Sequence, residues 1–297
     1  MKKSRGYLMI AGMLVIPGVV TLAAGQASGL NEMLELARSE TYATAESSEL
    51  LQVEESFRHW LEAGDRLAQA QDNAASGFND LGLDASAVLE PGLVALSEQP
   101  EAQRGRGFFA ARITGGTPMM IQAPHQYHDL RTGLIAQKLF LESQAVAAAW
   151  NTVHRYETDD SDPVHIPDSY LHAMSRAFAD TYPDGRIVQL HGFSAAKRTT
   201  AAGREAQAIL SDGSRYPPRS LILLGDCLSQ QLGIAALVYP HDVLELGATT
   251  NTLASDLRSR GFEGFVHLEL DADLRMRLVS DLEARNTLMG CLADMSQ

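Results

Sequence analysis

The chain has 297 residues, 37 acidic against 24 basic side chains and 45% hydrophobic content, enough to bury a sizeable core, so intrinsic disorder and small disulfide scaffolds are excluded. A net charge of -13, with no Lys/Arg-rich run beyond the first five residues, leaves no footprint for a phosphate backbone, and no nucleic-acid partner is expected. The 24 Gly and 11 Pro exclude collagen-like or low-complexity character.

Lys2, Lys3 and Arg5 precede an apolar stretch from Tyr7 to Ala24, which gives way to Gly25-Gln26-Ala27-Ser28. Basic start, apolar middle and small-residue exit read as a secretory signal peptide over residues 1–27, which predicts a periplasmic or secreted protein with no stable membrane insertion after cleavage. An uncleaved anchor is the competing reading, since about 18 apolar residues can just span a bilayer. Export would also permit a bond between Cys227 and Cys291. Their spacing alone leaves a disulfide and two buried thiols equally open.

Leu30, Met33, Leu34 and Ala37, then Leu50, Val53, Phe57, Trp60 and Leu61, recur mostly at spacings of three and four, which predicts two amphipathic helices. They form a helical N-terminal extension over residues 28–85, either covering the rest of the fold or meeting an envelope protein. Residues 86–297 are expected to form the second unit. Phe108–Ile113 and Pro118–Ala123 flank Gly115-Gly116 and read as a hairpin. Beyond it, helix-like segments cover 133–149, 169–180, 229–236 and 253–260. Strand-like segments cover 147–153, 187–190, 220–224, 242–246 and 265–270. This alternation predicts an α/β fold with a mostly parallel or mixed central sheet covered by helices.

Ligand-bearing loops in such a sheet sit at the carboxyl ends of strands. Met119–Ala123 runs into Pro124-His125-Gln126-Tyr127-His128-Asp129, and Ile187–Leu190 runs into His191-Gly192. A catalytic zinc needs three imidazole or carboxylate ligands with one position open, and His125, Asp129 and His191 supply that number. His128 competes with Asp129 for the third place. His241-Asp242, beside Pro240, reads as a turn or cap. Glu269, a charge in the apolar run Phe265–Leu270, needs a partner or a purpose when buried. A glutamate beside a metal can move a proton from water to a leaving amine.

Five short motifs, Ala123-Pro124-His125, Asn151-Thr152-Val153-His154-Arg155, Gln189-Leu190-His191-Gly192-Phe193, Leu223-Leu224-Gly225-Asp226 and His267-Leu268-Glu269-Leu270, are followed by Leu274-Arg275. Their order resembles that of N-formylglutamate amidohydrolases and the related poly-γ-glutamate hydrolases, over roughly residues 107 to 280. The resemblance implies a zinc carboxypeptidase-like fold, zinc (Zn2+) on His125, Asp129 and His191, and Glu269 as catalytic base. It also implies that Arg155 grips a substrate carboxylate through a two-pronged contact.

The expectation is therefore an exported zinc-dependent amide or peptide hydrolase. Its substrate would be an N-acyl amino acid, a γ-glutamyl chain or a cell-wall-type peptide carrying a carboxylate. A catalytically inactive envelope binding protein that keeps the fold is the alternative. An anionic substrate would need a locally basic cleft, for which Arg155, Lys197 and Arg198 are candidates.

Overall fold

A computed structural model of the chain describes residues 29–63 and 77–294, so the signal sequence expected over 1–27 lies outside the described residues. In chain order the elements are α1 (Leu30–Leu36), α2 (Ser47–Ala63), β1 (Leu83–Ala87), β2 (Leu93–Glu98), β3 (Phe108–Arg112) and β4 (Thr117–Ala123). There follow α3 (Thr132–Glu142), β5 (Ala145–Trp150), α4 (Tyr170–Thr181), β6 (Arg186–Gly192), α5 (Ala201–Glu205) and β7 (Ala208–Ser211). The chain ends with α6 (Arg219–Leu232), β8 (Ala236–Val238), α7 (Thr252–Ser259), β9 (Phe265–Leu270), α8 (Ala272–Ser280) and α9 (Leu282–Asp294).

The strands form one mixed sheet in the order β1-β2-β3-β5-β4-β6-β9-β7-β8. At its centre β5, β4, β6 and β9 are parallel neighbours, while β1, β2 and β3 extend it antiparallel on one side and β7 joins β9 antiparallel on the other. The α/β architecture expected from the sequence is present. Small side chains explain the middle: β5 is Ala-Val-Ala-Ala-Ala-Trp, buried at every position, as a strand covered on both faces must be.

Period-two alternation assigns the two faces. Met119, Ile121, Val188, Leu190, Val266 and Leu268 point into one core with Leu139, Leu221, Leu228, Leu274 and Leu288 from α3, α6, α8 and α9. Met120, Ile187 and Phe265 point into the other, beneath Val53, Phe57 and Trp60 of α2 and Met174 and Phe178 of α4. The stripe on α2 therefore covers the sheet, the first of the two roles foreseen for the N-terminal helices. Phe57 meets Phe109 of β3 edge-on at 4.8 Å between ring centroids, and burying such a side chain stabilises by roughly 1.5–3 kcal/mol.

Four sequence expectations change. Residue 85, the expected boundary, lies inside β1, which pairs with β2 in the common sheet. No hairpin joins β3 to β4: β5 inserts between them, antiparallel to β3 and parallel to β4. A local Gly-Gly cue carries no information about a strand arriving 30 residues later. The strand expected over 220–224 is the start of α6, where Leu221, Leu224, Leu228 and Leu232 are buried at helical spacing. The segment 242–246 is a turn: the Asp242 carboxylate accepts from the Val238 N–H at 2.9 Å, closing the chain after β8.

Cys227 of α6 and Cys291 of α9 form a disulfide with their Cα atoms 5.8 Å apart, which settles the pairing left open by spacing. Among the described residues no helix is long and apolar enough to cross a membrane.

Candidate metal centre

Strands β4, β6 and β9 are parallel neighbours, so their carboxyl ends share one edge of the sheet. Each switches there from apolar to polar side chains on the α2/α4 face: Met120 to Gln122, Ile187 to Gln189 and His191, Phe265 to His267 and Glu269. His191 stands directly opposite Glu269 in the β6/β9 register.

Past β4 the chain turns sharply. The His125 carbonyl accepts from the N–H groups of His128 and Asp129 at 2.8 and 2.7 Å, which folds the Asp129 carboxylate back beneath the His125 ring. Asp129 Oδ2 then lies 3.6 Å from His125 Nδ1 and 3.2 Å from His191 Nδ1. These three buried residues offer ligand atoms all within 4.8 Å of one another. His191, His267 and Glu269 form a second such group that shares His191. His128 stands apart: it is exposed and packs its ring against Tyr156 and His154 at 5.1 and 5.6 Å. Of the two residues competing for the third place, Asp129 is the one brought to the histidines.

The two imidazoles have definite partners. His125 Nε2 lies 3.0 Å from Asp162 Oδ1, while its Nδ1 receives a bond from Arg155 at 2.8 Å. Since arginine only donates, Nδ1 is the bare nitrogen of His125 and Nε2 carries the proton. A carboxylate behind a ligand imidazole fixes its ring and raises its basicity. Sequence reasoning missed Asp162: it lies in the irregular stretch between β5 and α4, with no period or motif to mark it. It also missed His267, although its placement two residues before Glu269 puts the two on one face.

Burial dominates the charges. It pushes the His191 imidazole down to about 4 and the His267 imidazole well below its ordinary value, so both rings are neutral near pH 7. Burial also pushes Asp129 up, but the neighbouring His125 and His191 outweigh it and hold the carboxyl well below the usual range. For Glu269, burial, and next the nearby charge of Asp129, raise the carboxyl to about 8; the charges of Arg198, Arg275 and Arg155 pull the other way but are outweighed. Its Oε2 is buried without a hydrogen-bond partner. An acceptor nitrogen of His125 and a neutral-ring nitrogen of His191 on either side of a carboxylate, beside an orphaned buried carboxyl oxygen, form a donor set that fits a metal cation.

Arg155 lines the same cleft, of about 310 Å³, with His125, His191, His267 and Glu269. Its guanidinium reaches both His125 and the Asp162 carboxylate. The opposite wall, Leu246 to Asn251, holds two non-glycine residues at positive φ, Leu246 (60°) and Ala248 (52°). Arg198 is engaged elsewhere, paired with Glu245 at 3.5 Å, and is not among the cleft residues. Arg275 of α8, buried, ties the loops together by donating to the carbonyls of Leu130 at 3.0 Å and Phe193 at 3.3 Å. A Cβ at Gly192 would strike that guanidinium, so glycine follows His191 for space.

No protein-family model matches the chain, and no curated protein matches it. Among solved structures the chain is similar to N-formylglutamate amidohydrolase from Ralstonia eutropha JMP134, at 12% identity over 65% of this chain and 96% of that one, with a TM-score of 0.40. It is similar to succinylglutamate desuccinylase from Vibrio parahaemolyticus, at 14% identity over 70% and 77% of the two chains, with a TM-score of 0.41. The corresponding enzyme from Chromobacterium violaceum aligns at 16% identity over 71% and 66%, with a TM-score of 0.35.

Proposed function

We propose that the protein is an exported, zinc-dependent hydrolase of amide bonds. Its substrate is an N-acyl amino acid, a γ-glutamyl chain or a cell-wall-type peptide that presents a carboxylate. The observation that carries this reading is the convergence of His125, Asp129 and His191, with both histidines lining one cleft together with Glu269, whose Oε2 is partnerless. The disulfide between Cys227 and Cys291 supports export, because such bonds persist outside the reducing cytoplasm.

His125, Asp129 and His191 would hold the zinc, which when bound polarises a water molecule and the scissile carbonyl. Glu269 Oε2 takes the proton that water loses as its oxygen bonds to the carbonyl carbon, then gives it to the amide nitrogen as the carbon–nitrogen bond breaks. A cation held beside Glu269 opposes the push from burial and Asp129 and favours the ionised form that a base requires. Arg155, whose N–H donates to His125 Nδ1 and would be displaced by a metal there, would then offer its freed guanidinium edge to the substrate carboxylate and fix which end of the substrate enters first. His267, neutral and 3.8 Å from Glu269 Oε1, flanks the base without adding charge.

Elemental analysis of gently purified protein, paired with hydrolysis assays on N-acyl glutamate and γ-glutamyl peptides, tests the proposal. One zinc per chain with release of free amine is expected. A chain free of zinc that leaves every such substrate intact is a binding protein, and the hydrolase reading then fails.

A further inference from the structure

Behind His191 runs a chain of buried polar side chains that the catalytic reading leaves unused. Ser175 Oγ donates to the Leu171 carbonyl at 2.7 Å and accepts from Gln122 Nε2 at 2.8 Å. Gln122 Oε1 accepts from Gln189 Nε2 at 2.9 Å. Gln189 Oε1 accepts from Asn251 Nδ2 at 2.7 Å and lies 3.0 Å from His191 Nε2. Ser175, Gln122 and Gln189 are wholly inaccessible to solvent, and Asn251 nearly so.

The direction of this chain is read from both ends, and at the second a backbone group that cannot change role fixes it. The Ser175 hydroxyl donates to the Leu171 carbonyl, so Ser175 Oγ accepts from Gln122. That sets the Gln122 amide nitrogen toward Ser175 and its oxygen toward Gln189. At the other end the Ala254 N–H only donates, at 3.0 Å, to Asn251 Oδ1, which caps α7. The Asn251 amide nitrogen must therefore face Gln189. Both constraints turn the same atom, Gln189 Oε1, toward the imidazole. Flipping either glutamine would bury two facing donors and two facing acceptors, each unmade bond costing about 1–3 kcal/mol.

We infer that Gln189 is a positioning residue that fixes His191 as the Nε2–H tautomer, so that Nδ1 is the nitrogen offered to Asp129 and to a metal. The assignment deepens the hydrolase reading in what it says of metal binding, but the direction of the amide chain holds whether or not a metal binds. It explains why two glutamines occupy inward positions on central strands, where an apolar side chain packs without needing a partner. It also explains why Asn251, a cap on α7, is placed to reach the back of a metal centre. His125 and His191 then present the same nitrogen for different reasons, the first through Asp162 and the second through an uncharged amide.

In wild-type protein Asp129 Oδ2 competes for the His191 proton, so the decisive measurement uses metal-free Asp129→Ala protein. Long-range proton–nitrogen spectra of the histidine rings, assigned by loss of signals in His191→Gln, report which nitrogen carries the proton. The expected result is Nε2–H in Asp129→Ala and loss of that preference in Asp129→Ala/Gln189→Met. A proton on Nδ1 in the single variant, or an unchanged ring in the double variant, overturns the assignment. In otherwise wild-type protein, Gln189→Met should weaken zinc binding about 10–100-fold in competition with a chelator. Gln189→Glu, which keeps an oxygen against Nε2, should lose less, and equal losses would refute the positioning role. Should the Gln189 variants fail to fold, the Asp129→Ala ring alone decides. A protein that binds no zinc but shows Nε2–H in Asp129→Ala would sink the hydrolase and leave the amide chain standing.

Discussion

Replacing Glu269 with Gln should move stability and activity in opposite directions, and the structure sets the size of the first effect. Burial raises the carboxyl of Glu269 from 4.5 to about 8 in the metal-free protein, so the fold favours its protonated form. Below pH 4.5 the group is protonated whether the chain is folded or not, and it imposes no penalty. Between pH 4.5 and 8 the unfolded chain releases the proton while the folded one keeps it, and stability falls by about 1.4 kcal/mol per pH unit. At pH 7 the accumulated loss is about 3 kcal/mol, a large share of the 5–15 kcal/mol typical of a domain. Glu269→Gln, uncharged at every pH, removes that loss. Guanidinium unfolding of chelator-treated protein should show the variant more stable by about 3 kcal/mol at pH 7 and nearly equal to wild type at pH 4.5. Hydrolysis should fall about 10²–10⁴-fold with zinc still bound. An advantage that is the same at both pH values, or absent at pH 7, would refute the account of a buried carboxylate lacking a cation. Activity that survives the substitution would refute its role as base.

Asp162→Asn removes the charge behind His125 and should weaken zinc binding about 10–100-fold in a chelator competition, with unchanged affinity refuting the role given to that carboxylate. Reducing the bond between Cys227 and Cys291 frees a loop of 64 residues and should lower stability by about 4 kcal/mol on the chain-entropy account; a loss under about 1 kcal/mol in unfolding with and without reductant would contradict it. Arg275→Met leaves the Leu130 and Phe193 carbonyls without their donor and should destabilise by about 1–3 kcal/mol while weakening zinc binding, because it releases the loops after β4 and β6 together. Loss of stability with zinc affinity intact would show that Arg275 serves the fold alone.

Much of the site was legible because three short strands end in chemistry. Met119–Ala123 and Ile187–Leu190 are mostly apolar runs that lead into His125 and His191, Phe265–Leu270 carries Glu269 within it, and each is a strand at the centre of the sheet. What stayed hidden depended on chain segments meeting from afar. Asp162 reaches His125 across 37 positions and Asn251 reaches Gln189 across 62, and nothing local to either residue marks it. The missed insertion of β5 between β3 and β4 is of the same kind, since a turn signal reports on its own neighbours and not on a later strand. The misread start of α6 has another cause: the four apolar residues Leu221 to Leu224 suit either element, and only the longer run to Leu232 reveals the helical period.

The sheet separates stability from chemistry along each strand instead of between domains. On the α2/α4 face Met120, Ile187 and Phe265 lie toward the amino ends, beneath Phe57, Met174 and Phe178, where apolar burial holds the layers together. Two residues further on, the same face carries Gln122, Gln189 and His267, and two further still His191 and Glu269 face each other across β6 and β9. A polar side chain in such a place is tolerated only when partnered, and each has a specific partner except Glu269, whose Oε2 has none. The satisfied amides are therefore the scaffold, and the unsatisfied carboxyl is the group to which the proposed hydrolysis assigns the role of base. A substitution one step along a strand shifts the effect accordingly: Ile187→Ala should destabilise the protein by about 2–5 kcal/mol through a cavity, whereas Gln189→Met, two residues later, should change chiefly how His191 presents its nitrogen.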